Sequence, residues 1–165
     1  MTTSALIVRF IQHQSVTTGD LQKNFGHMQS FIDRYFARKE MVQKKNSINA
    51  LFNIADNSLN KVIQVVDEFR SDLIPVQLTA KEATHLVDVL VELADKVHEL
   101  ETRCEYLLTK IRQRQSIELI EPVEKICKKV SSALEKTMLL ADELSLIPEL
   151  LQSMREYEAV QPVQG

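Results

Sequence analysis

Leu86, Leu90, Leu93, Val97, Leu100, Cys104, Leu107 and Ile111 are separated by alternating steps of four and three residues without a miss. This 3.5-residue period lays one narrow apolar stripe along a helix, and a strand cannot produce it. A stripe of this kind has to be buried against at least one partner helix, so the segment Thr79 to Arg114 sets the fold class. Thr79, with Glu82 three residues on, reads as a capping box that starts the helix. Lys110, Arg112 and Arg114 sit in its last turn, where cations complement the helix dipole.

Other segments carry partner stripes. Leu21, Phe25, Met28, Ile32 and Tyr35 form one, widened by Phe31 and Phe36. Ile48, Phe52, Ala55, Leu59, Val62, Val66, Phe69 and Leu73 form a second, but carried backward it lands on Lys45, Met41, Arg38 and Arg34. The phase therefore changes between Lys39 and Ser47, and two arrangements fit. One is a stutter within a single helix about 80 Å long. The other is a turn, with Asn46 or Ser47 as the new cap. Pro75 stops this stretch.

A last stripe runs through Val123, Ile126, Val130, Ala133, Thr137, Leu140, Leu144, Ile147, Leu151 and Met154. Pro122 suits its first turn and Pro148 is expected to kink it. Ahead of all these, Leu6, Ile7, Phe10 and Ile11 have the spacing of a short amphipathic helix capped by Ser4. The polar run Ser15–Gly19 reads as a link, with Thr18 or Asp20 as the following cap.

The expected fold is all-α: an antiparallel bundle of three to four long helices with coiled-coil-like heptad seams, plus a short N-terminal amphipathic helix. Residues 1–19 form the N-terminal segment and link, residues 20–158 the bundle, and 159–165 a frayed tail. The helices are expected at about 20–44, 47–74, 79–114 and 122–158, the last kinked near 148. Short connections imply that neighbouring helices run antiparallel. Without a turn near Asn46, residues 20–45 become an arm projecting from a three-helix core. Three glycines and four prolines in 165 residues agree with few turns and long elements.

The search for chemistry narrows the function classes. Glu82-Ala-Thr-His85 matches the Glu-x-x-His pattern of di-iron bundles, and Asp95-Lys-Val-His98 echoes it. Such a site needs the motif on two helices with ligands facing inward, and here both histidines flank the stripe of one helix. Glycines at 19, 26 and 165 cannot build a phosphate loop, and no Gly-x-Ser-x-Gly elbow occurs. The histidines at 13, 27, 85 and 98 show no spacing to a nucleophile. No catalytic residue, metal ligand set or cofactor is expected, and the chain does not read as an enzyme.

A net charge of −3 argues against a dedicated nucleic-acid binder. The apolar run near Leu6 is short and interrupted by Arg9, and no window reaches about 18 apolar residues, so no membrane span is expected. Cys104 and Cys127 are too few for a disulfide framework or a zinc site, and Cys104 on the stripe acts as a small hydrophobe. A reduced thiol and a cytoplasmic location are the matching expectations.

The segment Lys23 to Lys45 has the strongest claim to function. It holds Phe25, Phe31, Tyr35 and Phe36, with six basic residues against two acidic ones, a local +4. Glu118 to Glu158 carries nine acidic and five basic residues, a local −4. Aromatic anchors beside arginine are favoured at protein interfaces. Two readings stand. The aromatics are core of a fourth helix and the cations its solvated face, complementing the acidic last helix, or Phe25, Phe31, Arg34, Tyr35, Phe36, Arg38 and Lys39 bind a partner. Lys125, Lys128 and Lys129 read as a solvated edge.

The expected function is protein–protein interaction, as an adaptor, scaffold or regulatory subunit that can also self-associate into a homo-oligomer. The alternatives are a bundle binding a metal or small ligand through Glu82, His85 and His98, and reversible membrane-surface contact through residues 4–13 and the basic helix.

Overall fold

The computed structural model describes residues 2–38 and 45–160, with side chains for 2–37 and 48–157. Four helices account for nearly all of them: α1 (Thr3–Arg38), α2 (Lys45–Leu73), α3 (Ala80–Gln113) and α4 (Ile117–Val160). No strand occurs among the described residues.

The apolar stripes become the core. Every member of the α3 stripe is buried, joined by Ala83. All eight residues of the α2 stripe are buried as well. In α1 the buried line is Leu21, Phe25, Met28, Ile32 and Phe36, so Phe36 takes the place expected for Tyr35, which is half-buried. In α4 the buried line holds from Val123 to Leu144, then fades through half-buried Ile147 and Leu151 to exposed Met154. The cause is length. Arg70 of α2 meets Glu143 of α4 at 2.6 Å, and α2 ends one turn later at Leu73, leaving the last turns of α4 without that neighbour.

The Ser15–Gly19 run is not a link. It is helical, and α1 extends unbroken from Thr3. The Thr17 hydroxyl donates to the His13 carbonyl at 3.0 Å, which satisfies it without leaving the helix, and Thr17 and Thr18 are both buried. Leu6, Ile7 and Phe10 therefore share one core with the rest of the bundle.

The described residues between 20 and 73 fall in two helices, and α1 packs along α2 rather than projecting as an arm. Phe10 stacks on Phe69 with ring centroids 3.9 Å apart, and Asn24 Nδ2 donates to Ser58 Oγ at 2.7 Å. The chain between Arg38 and Lys45, and the side chains of Asn46 and Ser47 proposed as caps, lie outside the described residues, as does the tail 161–165.

Thr79 caps α3 through the reciprocal box read from the sequence. The Glu82 amide donates to Thr79 Oγ1 at 3.1 Å and the Thr79 amide to Glu82 Oε1 at 3.0 Å. At the other end the Gln115 amide donates to the Arg112 carbonyl at 3.1 Å and the Ser116 amide to the Ile111 carbonyl at 3.2 Å. Gln115 has φ 55°, so this is a Schellman turn with glutamine in the left-handed position where glycine is usual. The turn starts α4 at Ile117, and Pro122 falls inside the helix rather than in its first turn. Burial of Leu119 and Val123 on either side of Pro122 holds the helix through it.

Around the bundle the order is α1, α2, α4, α3, with α3 and α4 the most extensive pair and α2 and α3 touching only weakly. Contacts between α2 and α4 climb together: Asp56 with Lys129 at 2.6 Å, Asp67 with Lys136 at 2.8 Å, Arg70 with Glu143 at 2.6 Å. Contacts between α1 and α3 also climb together, from Phe25 with Arg103 to Asp33 with Lys110. These two faces pair helices of the same sense. Residues 74–79 can span about 20 Å extended, enough to cross the end of a bundle whose adjacent axes are about 8–10 Å apart.

Candidate interaction surface

The 3.6-residue turn of α1 divides the aromatic segment between two faces. Phe25 is 0% exposed and Phe36 is 8% exposed, both in the core. Phe31 and Tyr35 pack against that core while remaining half-buried, and His27, Ser30 and Arg34 beside them are exposed. Across from them Ala50 and Leu51 of α2 complete a groove of about 480 Å³ lined by His27, Ser30, Phe31 and Arg34. Arg34 donates from Nε to the Ser30 carbonyl at 3.4 Å and meets no carboxylate among the described residues.

The opposite side of α1 is used within the molecule. Arg103 lies 6.0 Å from the Phe25 ring, and Lys110 and Arg114 each lie 5.8 Å from the Phe36 ring. Lys110 Nζ also donates to Asp33 Oδ1 at 2.8 Å. That hydrogen bond holds the ammonium above the ordinary lysine value, against the opposing effect of burial.

The seven residues expected to bind a partner are therefore dispersed. Phe25 and Phe36 are closed off by packing, since their rings fill the seam between helices. Phe31, Arg34 and Tyr35 stay together on the outer side of α1. The Arg38 side chain and Lys39 lie outside the described residues.

The described ion pairs do not match the reading in which α1 cations complement the acidic α4. Those that reach α4 from α2 put cations on either helix: Lys129 and Lys136 of α4 meet Asp56 and Asp67, while Arg70 of α2 meets Glu143. Lys129 is thus an interhelical contact rather than a solvated edge, and it also donates to Asn60 Oδ1 at 3.1 Å. Lys125 and Lys128 are exposed.

Glu82 is engaged in the α3 cap, His85 is exposed, and His98 Nδ1 lies 3.5 Å from Glu101 Oε1. Among the described residues no group of three or more His, Cys, Asp or Glu side chains stands together as a ligand set. None of the described helices is long and apolar enough to cross a membrane.

One surface escaped the sequence reading. Leu139, Leu146, Leu150 and Tyr157 of α4 are exposed, with Met138 and Met154 beside them. Their steps of seven, four and seven residues were visible as a second stripe flanking the buried one. Cys104 and Cys127, from α3 and α4, also come side by side, which their separation in the chain does not suggest.

No protein-family model, no curated protein and no solved structure matches the chain.

Proposed function

We propose that this chain is a non-enzymatic helical-bundle protein acting through protein–protein interaction, as an adaptor, scaffold or regulatory subunit. Its contact face is the α1–α2 groove, with Phe31 and Tyr35 as anchors and Arg34 as the charged rim. The observation that carries the reading is the half-buried aromatic pair beside an exposed arginine that meets no carboxylate among the described residues. A planar guanidinium next to apolar surface is a favoured interface element. The scaffold for this face is read as two antiparallel hairpins, α1–α2 and α3–α4, closed by heptad seams. Contacts between early α1 and late α2, such as Arg9 with Asp72, support that direction. Self-association belongs to the same reading and is supported by the exposed α4 stripe through Leu146, Leu150 and Tyr157.

The test places a benzophenone photocrosslinker at Ser30, in the groove, and at Glu121, an exposed position on α4. The expected result is a discrete adduct from Ser30, absent from Glu121 and reduced at least about tenfold by Arg34→Glu, a loss on the scale of a hot-spot arginine. Equal adducts from both positions, or indifference to Arg34→Glu in a protein of unchanged helicity, would reject the α1–α2 face.

A further inference from the structure

The turn at Gln115 and Ser116 folds α4 back along α3, and Cys104 lies as far before it as Cys127 lies after it. The same fold-back brings Ser131 Oγ to within 2.9 Å of Glu101 Oε2, and Arg112 to within 3.0 Å of Glu124. Cys104 and Cys127 face each other between these two contacts, one on each helix. They are the only cysteines in the chain.

Their surroundings differ. Cys104 is 2% exposed on the α3 stripe. Cys127 is half-buried and lines an open groove of about 530 Å³ with Arg112, Glu124, Lys128 and Ser131. Cys127 is thus open to a small polar oxidant from this groove, whereas Cys104 does not line it and is almost fully buried.

We propose that Cys104 and Cys127 form a redox-active dithiol which a hydroperoxide closes to a disulfide between α3 and α4. The Cys127 sulfur is the attacking group. It bonds to the outer oxygen of the hydroperoxide, the O–O bond breaks, and the alcohol or water leaves with a proton. Cys127 is then a sulfenic acid. The Cys104 sulfur attacks the Cys127 sulfur, the S–O bond breaks, and the hydroxide leaves as water with the Cys104 proton. Two thiols and one hydroperoxide give one disulfide, one alcohol (water from hydrogen peroxide) and one water. A small-molecule dithiol reverses the reaction by exchange.

The electrostatics support this division of roles. The neighbouring Cys104 thiol is the largest influence holding Cys127 below the ordinary thiol value, against burial and the Glu124 carboxylate. Its own backbone amide and Arg112 act in the same favourable direction. Cys104 is pushed well up, first by the neighbouring Cys127 and then by burial, with Glu101 and Glu105 adding to it. A thiolate-prone sulfur at the groove and a protonated one behind it form an attacking and resolving pair.

The experiment treats the folded full chain with increasing hydrogen peroxide, blocks remaining thiols with an alkylating reagent, and measures intact mass and linked peptides. The expected product is monomeric, lacks both thiols together, has lost two hydrogens and contains a Cys104–Cys127 linked peptide. Dithiothreitol restores it. Oxidation should also raise Tm by about 5–10 °C, the scale for closing a short loop in a domain of this size. Cys104→Ser should leave a Cys127 sulfenic acid that reacts with dimedone, and Cys127→Ser should leave Cys104 unreactive until the protein is denatured. Sulfinic acid at Cys127 with Cys104 still free, disulfide-linked dimers, or no thiol loss before unfolding would each overturn the proposal. The wild-type measurement decides it even if a variant fails to fold.

Discussion

The α3–α4 pair and the α1–α2 pair bury their seams with different materials. Between α3 and α4 the seam is aliphatic and narrow, built from residues such as Leu93, Val97, Leu100, Val130 and Ala133, with Cys104 among them. Between α1 and α2 it is aromatic, with Phe10 stacked on Phe69 and Phe52 also buried. A narrow stripe is fully covered by one neighbouring helix on each side. A stripe carrying Phe31, Ile32, Tyr35 and Phe36 spans a wider arc than its neighbours cover, so Phe31 and Tyr35 stay only partly buried and Phe31 lines the groove. The width of the apolar arc separates the part of the molecule that only packs from the part available for contact.

The largest predicted effect breaks this comparison if it fails. Phe25→Ala should destabilise by about 3–5 kcal/mol, as for a fully buried ring, whereas Phe31→Ala should cost about 1–2 kcal/mol because part of its surface is already in water. Urea unfolding followed by circular dichroism measures both. Equal losses would mean that Phe31 is as much a part of the core as Phe25, and that α1 has no outward aromatic face.

The same contrast explains what could be read in advance. The α3 stripe was legible because strict three–four spacing, a capping box and a basic last turn all agreed about one helix. The α1 helix was harder. Ser15–Gly19 has link-like composition, yet Thr17 bonds its own backbone and continues the helix. Tyr35 and Phe36 are adjacent, so spacing alone did not decide which one faces inward. Helix order around the bundle was hidden for another reason: residues 74–79 fix how far the chain can reach, not which neighbour it chooses. The thiol pair was recoverable, because a turn at Gln115–Ser116 places Cys104 opposite Cys127. That argument needed the turn located to within a residue, and the sequence reading began the last helix at Pro122.

The next prediction sharpens the α3–α4 side. Gln115 holds φ 55° at the left-handed position of the Schellman turn. A residue with a Cβ is disfavoured there by about 1 kcal/mol relative to glycine. Gln115→Gly should therefore raise stability by up to about 1 kcal/mol, offset in part by the greater freedom glycine gives the unfolded chain. An unfolding midpoint that moves down would show that the Gln115 side chain contributes more to the turn than its backbone strain removes.

The smallest effect concerns how α1 is held against α3. Asp33 accepts from Lys110 at 2.8 Å, and both side chains keep contact with solvent. The pair should contribute about 0.2–1 kcal/mol, the range for accessible ion pairs. The folded-state value of Lys110 is raised above 10.5, so its contribution is complete below that pH and is lost as pH rises through the folded value. Asp33→Asn removes the partner charge while keeping the shape. The stability gap between wild type and variant should be constant from pH 7 to about pH 9.5 and shrink above 10.5, the ordinary value for lysine. A gap that widens with pH would mean that Asp33 is destabilised by its position in the fold and that Lys110 only offsets the cost, leaving the aromatic contacts of Arg103 and Arg114 to hold α1 in place.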